Sequence, residues 1–293
     1  MKIQIPEVVE CFGSIDNALV SVIRYCNFII DKTKRVCPNT SVNEVPGYAL
    51  EFCRKTLVQA STLVKVANER EDYNTTCSLV RMLADNVSII RLIYAETNTE
   101  EKILRHLLYV MDGVSTRNDY LKDYPKNYDG TIPKETYEAI CVQVQEAKDN
   151  AEGCIEFCTN AIKARSLYSA HQSSIDELVK YQNWKYKTID KPKKKDAYTW
   201  NEMYQLLDVK DKGYMFSYFS QYVHGLSISN IALNDKDDFE TPLAFAFSLV
   251  GWVFNFLKRE YEPYIGAYTM DDVLKIVPRW YLEELLQKKT DNQ

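Results

Sequence analysis

The chain has few of the residues that break helices. Its 293 residues include only nine glycines and nine prolines, and its long segments repeat apolar residues at helical rather than alternating intervals. It has no glycine-rich strand–turn–helix motif, which excludes dinucleotide-binding and P-loop folds. The sequence therefore predicts an all-α fold, a multi-helix bundle of long antiparallel helices with shorter C-terminal helices packed on the same core. We expect a single domain over residues 1–293.

The chain also lacks the marks of exported and membrane-spanning proteins. Its N-terminus does not have the charged-then-apolar profile of a signal peptide. The most apolar window, residues 244–257, is interrupted by polar residues and glycine and is shorter than the ~20 residues that span a bilayer. Eight cysteines without a secretion signal indicate a reducing compartment, where thiols pack as small apolar groups. We therefore expect a cytoplasmic protein with no membrane partner.

Residues that bind metals are sparse. The chain has three histidines, and only Cys154 and Cys158 stand at the helical spacing at which two thiolates could share an ion. No other cysteine or histidine lies close to them in sequence, whereas structural zinc sites usually combine two such pairs. We expect neither a metal nor another cofactor.

Apolar periodicity and capping residues together predict the positions of the helices. Asn98 with Glu101, and Thr269 with Asp272, have the spacing of capping boxes at helix N-termini. The helix that begins near residue 134 is long, with a kinked continuation to Tyr181 as an option. The predicted helices cover residues 7–31, 48–70, 75–96, 98–124, 134–164, 200–207, 210–224, 241–261 and 270–288.

A lysine-rich connecting loop, about residues 182–198, interrupts this pattern. Residues 180–196 carry seven lysines and two aspartates, a charge of +5 in a chain whose net charge is −5. Such a loop is usually a solvated connector, which is the interpretation we favour. The alternative is a contact with phosphates through Lys193 and Lys194, with bases stacked on the interleaved aromatic residues. Because the rest of the chain is acidic, duplex DNA is not an expected partner.

Two predicted helices carry polar stripes. In the helix over residues 210–224, Ser220 and His224 share one face, while Tyr218 and Tyr222 lie on the other. In the helix over residues 75–96, Arg81 and Asp85 are four residues apart and can form an ion pair. If the two stripes face each other, they form a polar site between helices.

These two segments resemble a known family. Val80-Arg81-Met82-Leu83-Ala84-Asp85 looks like the Arg-x-x-x-Glu helix of the bacterial helical family called domain of unknown function 5677, with Asp85 in place of the usual Glu. Residues 218–225, Tyr-Phe-Ser-Gln-Tyr-Val-His-Gly, look like that family's later Ser-x-x-Val-His element. That family is similar in general character to the HEPN group, the helical nucleotide-binding and ribonuclease domains of bacterial toxin and phage-defence systems.

The resemblance implies a site that acts on RNA or nucleotides. Arg81, Asp85, Ser220 and His224 would be its catalytic residues, and Tyr218, Tyr222, Lys193 and Lys194 would contact the substrate. In such a site a histidine removes a proton from the ribose 2′-hydroxyl while an arginine stabilises the charge that grows on the phosphate. HEPN domains often place their residues at a dimer interface, which implies a homodimer.

Two alternatives stay open from the sequence. HEPN domains have an arginine followed four to six residues later by a histidine on one helix, and Arg165 and His171 match that spacing as an alternative catalytic pair. The other alternative is a non-enzymatic helical interaction or scaffold module, in which Arg81, Asp85 and His224 form a structural polar network.

Overall fold

A computed structural model describes residues 12–39, 41–70, 72–123, 127–207, 212–224, 239–277 and 283. These residues form helices and no strand, so the predicted all-α fold is confirmed. The helices are α1 (Ile15–Lys34), α2 (Val45–Lys65, followed by a π-helical turn, Val66–Arg70), α3 (Tyr73–Ile93), α4 (Thr99–Leu121), α5 (Lys134–Lys163), α6 (Ser166–Ala170), α7 (Gln172–Tyr181), α8 (Trp200–Gln205), α9 (Lys212–Val223), α10 (Glu240–Glu260) and α11 (Met270–Ile276).

The chain divides into two compact units. The first unit consists of Met1–Arg91 and Trp200–Gln293, and the second of Leu92–Thr199. The first unit therefore contains α8 to α11 together with α1, α2 and most of α3, while the second contains α4 to α7 and the lysine-rich loop.

In the first unit, α1 and α2 pack antiparallel. Lys34, the last residue of α1, forms an ion pair with Glu51 near the start of α2, with 2.6 Å between Nζ and Oε2. At the other end, Asn68 Nδ2 in the π-helical turn donates to Asp16 Oδ2 at 3.0 Å. The core contains aliphatic side chains from α1, α2, α3 and α10, among them Leu19, Ile29, Leu50, Leu57, Leu63, Leu83, Leu249 and Val253.

The predicted helix over residues 7–31 is interrupted in its described part at Gly13 and Ser14, and α1 follows this break. Gly13 has a φ of 76°, in the left-handed region that other residues rarely adopt, and the helix begins after it. Ser14 is the N-cap, and its side chain accepts a hydrogen bond from the Asn17 N–H at 3.3 Å. Residues 1–11 lie outside the described part of the chain.

Within the described ranges, α10 is the one helix long and apolar enough to cross a membrane by length and composition. It packs along α1, where the rings of Tyr25 and Phe254 lie 5.2 Å apart, and half of its most apolar window is buried. Tyr261, directly after α10, donates its hydroxyl to the Pro46 carbonyl of α2 at 3.0 Å. The apolar face of α10 is therefore covered by other helices of the first unit.

In the second unit, α4 and α5 are antiparallel, since Arg165, just after α5, contacts Glu100 in the first turn of α4. Asn98 caps α4, with its Oδ1 accepting from the N–H groups of Glu100 and Glu101. The Asn98 N–H donates to Glu96 Oε1 at 3.1 Å and not to Glu101, so half of the predicted capping box forms. The optional continuation of the long helix to Tyr181 takes the form of two further helices. Arg165 adopts extended backbone angles and ends α5, and His171 separates α6 from α7.

The predicted capping box of Thr269 and Asp272 is confirmed at the start of α11. The Thr269 N–H donates to Asp272 Oδ2 at 2.9 Å, and the Asp272 N–H donates to Thr269 Oγ1 at 3.2 Å. The same carboxylate is buried and lies 2.7 Å from Lys32 Nζ. The hydrogen bond from Lys32, and those from Thr269, hold the pKa of Asp272 well below its ordinary value.

This carboxylate is expected to make the stability of the first unit sensitive to acid. A pKa that is lower in the folded than in the unfolded state stabilises the fold above about pH 4, and this contribution is lost as the pH falls through the folded-state value. We therefore expect Asp272→Asn to be less stable than the wild type at neutral pH and to lose less stability in acid. Urea midpoints measured from neutral to acidic pH test this. The exposed neighbour gives the control Asp271→Asn, and identical profiles for the wild type and Asp272→Asn would contradict the assignment.

Candidate functional site

Helices α3, α8 and α9 of the first unit bring four polar side chains together. We call this group the Arg81 network, and it consists of Arg81 and Asp85 from α3, Tyr204 from α8 and Ser220 from α9. The i,i+4 spacing of the first two residues places them on one face of α3, so their pairing follows from the helix itself. The other two residues reach the pair from elements more than a hundred positions further along the chain.

Arg81 is the centre of the network. Its Nε donates to Ser220 Oγ at 2.8 Å, and its Nη1 donates to Asp85 Oδ1. The Ser220 hydroxyl in turn donates to the carbonyl oxygen of Phe216, one turn earlier in α9, at 2.9 Å. The Arg81 side chain is 15% exposed and that of Asp85 is 30% exposed, so the pair lies at the edge of the core and water reaches it in part.

Tyr204 is the member of the network that the sequence did not reveal. Its hydroxyl donates to Asp85 Oδ1 at 2.6 Å, and the Arg81 guanidinium carbon lies 4.9 Å from the centre of its ring. Burial raises the pKa of Tyr204, and its hydrogen bond to the Asp85 carboxylate raises the pKa further. The residue therefore remains a neutral hydrogen-bond donor at any physiological pH.

His224 lies one helical turn beyond Ser220, the network residue of α9. Its N–H donates to the Ser220 carbonyl at 3.3 Å, and its side chain is exposed. Between them along α9, Tyr222 packs against Tyr73, the first residue of α3, with ring centres 5.6 Å apart. His224 therefore lies toward the N-terminal end of α3, whereas Arg81 is about two turns further into that helix.

Tyr218 and Tyr222 form a tyrosine cluster with Tyr73. The hydroxyls of Tyr218 and Tyr222 are 2.6 Å apart, and their ring centres are separated by 5.2 Å. Burial raises the pKa of Tyr73, with a further contribution from its hydrogen bond to Tyr218. The Tyr222 side chain is buried and Tyr218 is half-buried, and both take part in the packing of α3 against α9; their contact with a substrate stays a prediction.

The alternative pair of Arg165 and His171 lies in the second unit, where each residue has its own acidic partner. Arg165 binds Glu100 through two hydrogen bonds, at 2.5 Å from Nη2 and 3.2 Å from Nε. His171 Nδ1 is 3.5 Å from Asp190 Oδ1 in the lysine-rich loop. Arg165 and His171 stand at opposite ends of the short helix α6, Arg165 bound to α4 and His171 beside the lysine-rich loop.

The lysine-rich loop, with Lys193 and Lys194, is a folded hairpin. We call residues 182–198 the basic hairpin. Tyr186 and Ala197 form an antiparallel bridge, and the Tyr198 N–H donates to the Lys185 carbonyl at 2.7 Å. Asn183 Nδ2 donates to the Pro192 carbonyl at 2.8 Å, which closes the hairpin a second time. The lysines at 193–195 are exposed on its returning arm.

Arg105 of α4 anchors this hairpin through hydrogen bonds to its main chain. It is 3% exposed, and its Nη1 donates to the carbonyls of Trp184 at 3.2 Å and Tyr186 at 2.8 Å. Its guanidinium carbon lies 3.8 Å from the centre of the Tyr186 ring. Trp184 adds a second anchor, since its Nε1 donates to Asp112 Oδ2 at 3.0 Å. Trp184 and Tyr186 are therefore buried and support the hairpin from inside the unit. The prediction of base stacking then concerns the more exposed rings of Tyr181 and Tyr198.

No group of three or more His, Cys, Asp or Glu side chains in the described part of the chain is placed to hold a metal ion. A small cleft in the second unit is lined mainly by apolar side chains together with the Arg165–Glu100 pair.

The fold and the site together define an all-α protein with an arginine-centred polar network in one unit and an anchored lysine hairpin in the other. Comparison with protein-family models, with curated proteins and with solved structures found no match for this chain.

Proposed function

We propose that the chain is a non-enzymatic helical binding module, in which the Arg81 network holds α3, α8 and α9 in a fixed arrangement. The observation that carries this proposal is that the Arg81 side chain bonds to other side chains of the protein. Its Nε and Nη1 donate to Ser220 and Asp85, and its guanidinium packs over the ring of Tyr204. An arginine that stabilises a substrate phosphate directs its donors at the place where negative charge develops. Arg81 instead directs Nε at Ser220 of the neighbouring helix α9 and Nη1 at Asp85 of its own helix.

Such a network has a structural value of its own. Polar groups at the edge of a core are costly when they lack partners, so the network favours the relative position of the three helices in which its members are paired. Asp85 Oδ1 accepts from both Arg81 and Tyr204, which ties α8 to α3 at one point. This arrangement supports a role for the network in fixing the register of helices.

A second candidate is a site that acts on RNA or nucleotides in a bacterial defence or toxin system. The observation that favours it is the exposed imidazole of His224, one turn from Ser220 and the Arg81 network. A phosphodiester that reached both residues would meet a base and a cation on the same side of α9. The resemblance to HEPN-type domains supports the same candidate.

We also propose a cytoplasmic location. The seven cysteines of the described residues are all free thiols, and Cys26 and Cys53 are buried in the core of the first unit. Desolvation raises the pKa of both thiols well above its ordinary value. Protonated thiols packed in this way are typical of a reducing compartment.

The proposed function and its rival differ in their dependence on His224. We expect the purified protein to leave single-stranded RNA and nucleoside triphosphates unchanged, and His224→Ala to fold with the stability of the wild type, because the side chain is exposed. Gel electrophoresis of labelled RNA, nucleotide chromatography and urea unfolding measure these outcomes. Cleavage or turnover by the wild type that His224→Ala abolishes would reject the non-enzymatic module and support the second candidate.

A further inference from the structure

The second unit separates its charges sharply. Residues 180–196 carry seven lysines and two aspartates, +5, whereas the remainder of 92–199 carries nine basic and fifteen acidic residues, −6. Of the two aspartates, Asp190 lies beside His171. Six of the seven lysines are exposed and Lys185 is half-buried; the exposed ones are Lys180, Lys187, Lys191, Lys193, Lys194 and Lys195. This segment is therefore a compact cationic surface on an otherwise acidic unit.

The backbone beneath this surface is already ordered. Tyr186 points inward onto Arg105, whereas the flanking lysines are half-buried at Lys185 and exposed at Lys187. The bridge from Tyr186 to Ala197 then sets the returning arm, with its three consecutive lysines at 193–195, beside them. A ligand that binds here does not have to order a loop, which removes one of the main costs of association.

Aromatic rings paired with lysines stand at both ends of the segment. Tyr181 is 40% exposed, and Lys180 Nζ lies 5.3 Å from the centre of its ring. Tyr198 is half-buried, and Lys187 Nζ lies 5.7 Å from its ring centre. A ring that can accept a stacked base beside an ammonium group that can meet a phosphate is the combination used by proteins that bind single strands.

The small extent of the cationic segment favours a narrow anionic partner over a broad one. A flat anionic membrane or a duplex extends past the cationic segment toward the acidic remainder of the unit, whereas a single strand is narrow enough to contact the segment alone. Ile189 is the one large aliphatic residue of the basic hairpin and it is buried, so the described hairpin offers no aliphatic side chain for insertion into lipid.

From these observations we infer that residues 180–198 form a binding surface for single-stranded RNA, which holds the phosphate backbone with lysines and stacks bases on Tyr181 and Tyr198. The inference rests on the proposed function as a binding module and names its partner. The contact is largely electrostatic, so binding weakens as the salt concentration rises and depends little on sequence.

A charge-reversal variant of the hairpin tests this surface. Fluorescence anisotropy measures the affinity of the full chain for labelled oligouridylate and oligoadenylate of about 20 nucleotides across a salt series. We expect Lys193→Glu/Lys194→Glu/Lys195→Glu to bind at least about tenfold more weakly and to lower the slope of log K against log salt by about 2, at roughly 0.7 for each phosphate contact. Tyr181→Ala is expected to weaken binding with the salt slope unchanged, because it removes stacking and no charge.

The matched control changes the same net charge elsewhere in the same unit. Lys122, Lys134 and Lys163 are exposed and lie outside the cationic segment, so their triple replacement by glutamate should keep most of the affinity. Circular dichroism and urea midpoints check that both triple variants fold. An equal loss in the control triple, an absence of RNA binding by the wild type, or binding to phosphatidylserine vesicles in preference to RNA would each overturn the inference.

Measurements on the same samples distinguish a failure of the hairpin surface from a failure of the non-enzymatic module. Gel analysis of the RNA after each titration reports cleavage, and anisotropy reports binding. RNA that is cut only when His224 is present would reject the non-enzymatic module while lysine-dependent binding still supported the hairpin surface. Intact RNA that binds the wild type and the hairpin triple equally would overturn the hairpin and leave the module in place.

Discussion

Replacing Arg105 by alanine is expected to lower the free energy of unfolding of the second unit by about 3–5 kcal/mol. The guanidinium is almost fully buried and donates hydrogen bonds to the carbonyls of Trp184 and Tyr186. Alanine would leave both oxygens inside the protein without that donor, remove the stacking partner of the Tyr186 ring and open a cavity. Urea denaturation measures the loss. Amide hydrogen exchange of residues 182–198 should become faster at the same time, because the hairpin loses its anchor.

Arg117, on the same helix, provides the matched control. It is exposed, so Arg117→Ala is expected to change stability by no more than about 0.5 kcal/mol. Arg105→Lys keeps the charge but loses the planar group that stacks on the Tyr186 ring, and an intermediate loss is expected. If Arg105→Ala left hydrogen exchange in the hairpin as slow as in the wild type, the anchoring role would be refuted.

The second large effect is expected in the Arg81 network. Arg81→Ala should cost about 2–3 kcal/mol, since it removes a charged donor from Asp85 and from Ser220 together with the contact on the Tyr204 ring. This value allows for the partial exposure of the ion pair, which weakens it. Tyr204→Phe removes only a hydroxyl that donates to a carboxylate and should cost about 1–2 kcal/mol.

A double-mutant cycle separates a network from two independent contacts. Arg81 and Tyr204 share Asp85, so the double variant should lose about 0.5–1 kcal/mol less than the sum of the single variants. Tyr120→Phe, at a tyrosine that is 80% exposed, is the control for loss of a hydroxyl. Strictly additive losses in urea unfolding would show that the four side chains do not act as one group.

Local features of the chain could be predicted from the sequence because their causes are local. Helix periodicity and the caps at Asn98 and Thr269 depend on residues within one turn, and the structure has the Thr269 capping box in full and the Asn98 cap without its Glu101 half. The pairing of Arg81 with Asp85 is of the same kind, since a helix places residues four apart side by side.

Contacts between distant segments could not be predicted in this way. Tyr204 meets Asp85 across 119 positions, and no periodicity within α8 indicates where its hydroxyl points. Arg105 stands beside His106 in a leucine-rich segment, and its partners are main-chain oxygens 79 and 81 residues away. A carbonyl group is the same in every residue, so it leaves no signature in the sequence. For this reason the anchoring of the basic hairpin on Arg105 could not be predicted.

The support of the hairpin by carbonyl groups has a consequence for its evolution. Because Arg105 binds oxygen atoms of the main chain, exchanging an outward lysine for another residue leaves both hydrogen bonds intact. Natural selection can therefore change the charge and length of the exposed side chains of the hairpin while its main chain stays anchored on Arg105. Homologous chains should keep an arginine at this position of α4 and a bulky ring above it, and diverge at the lysines according to the partner that each of them meets.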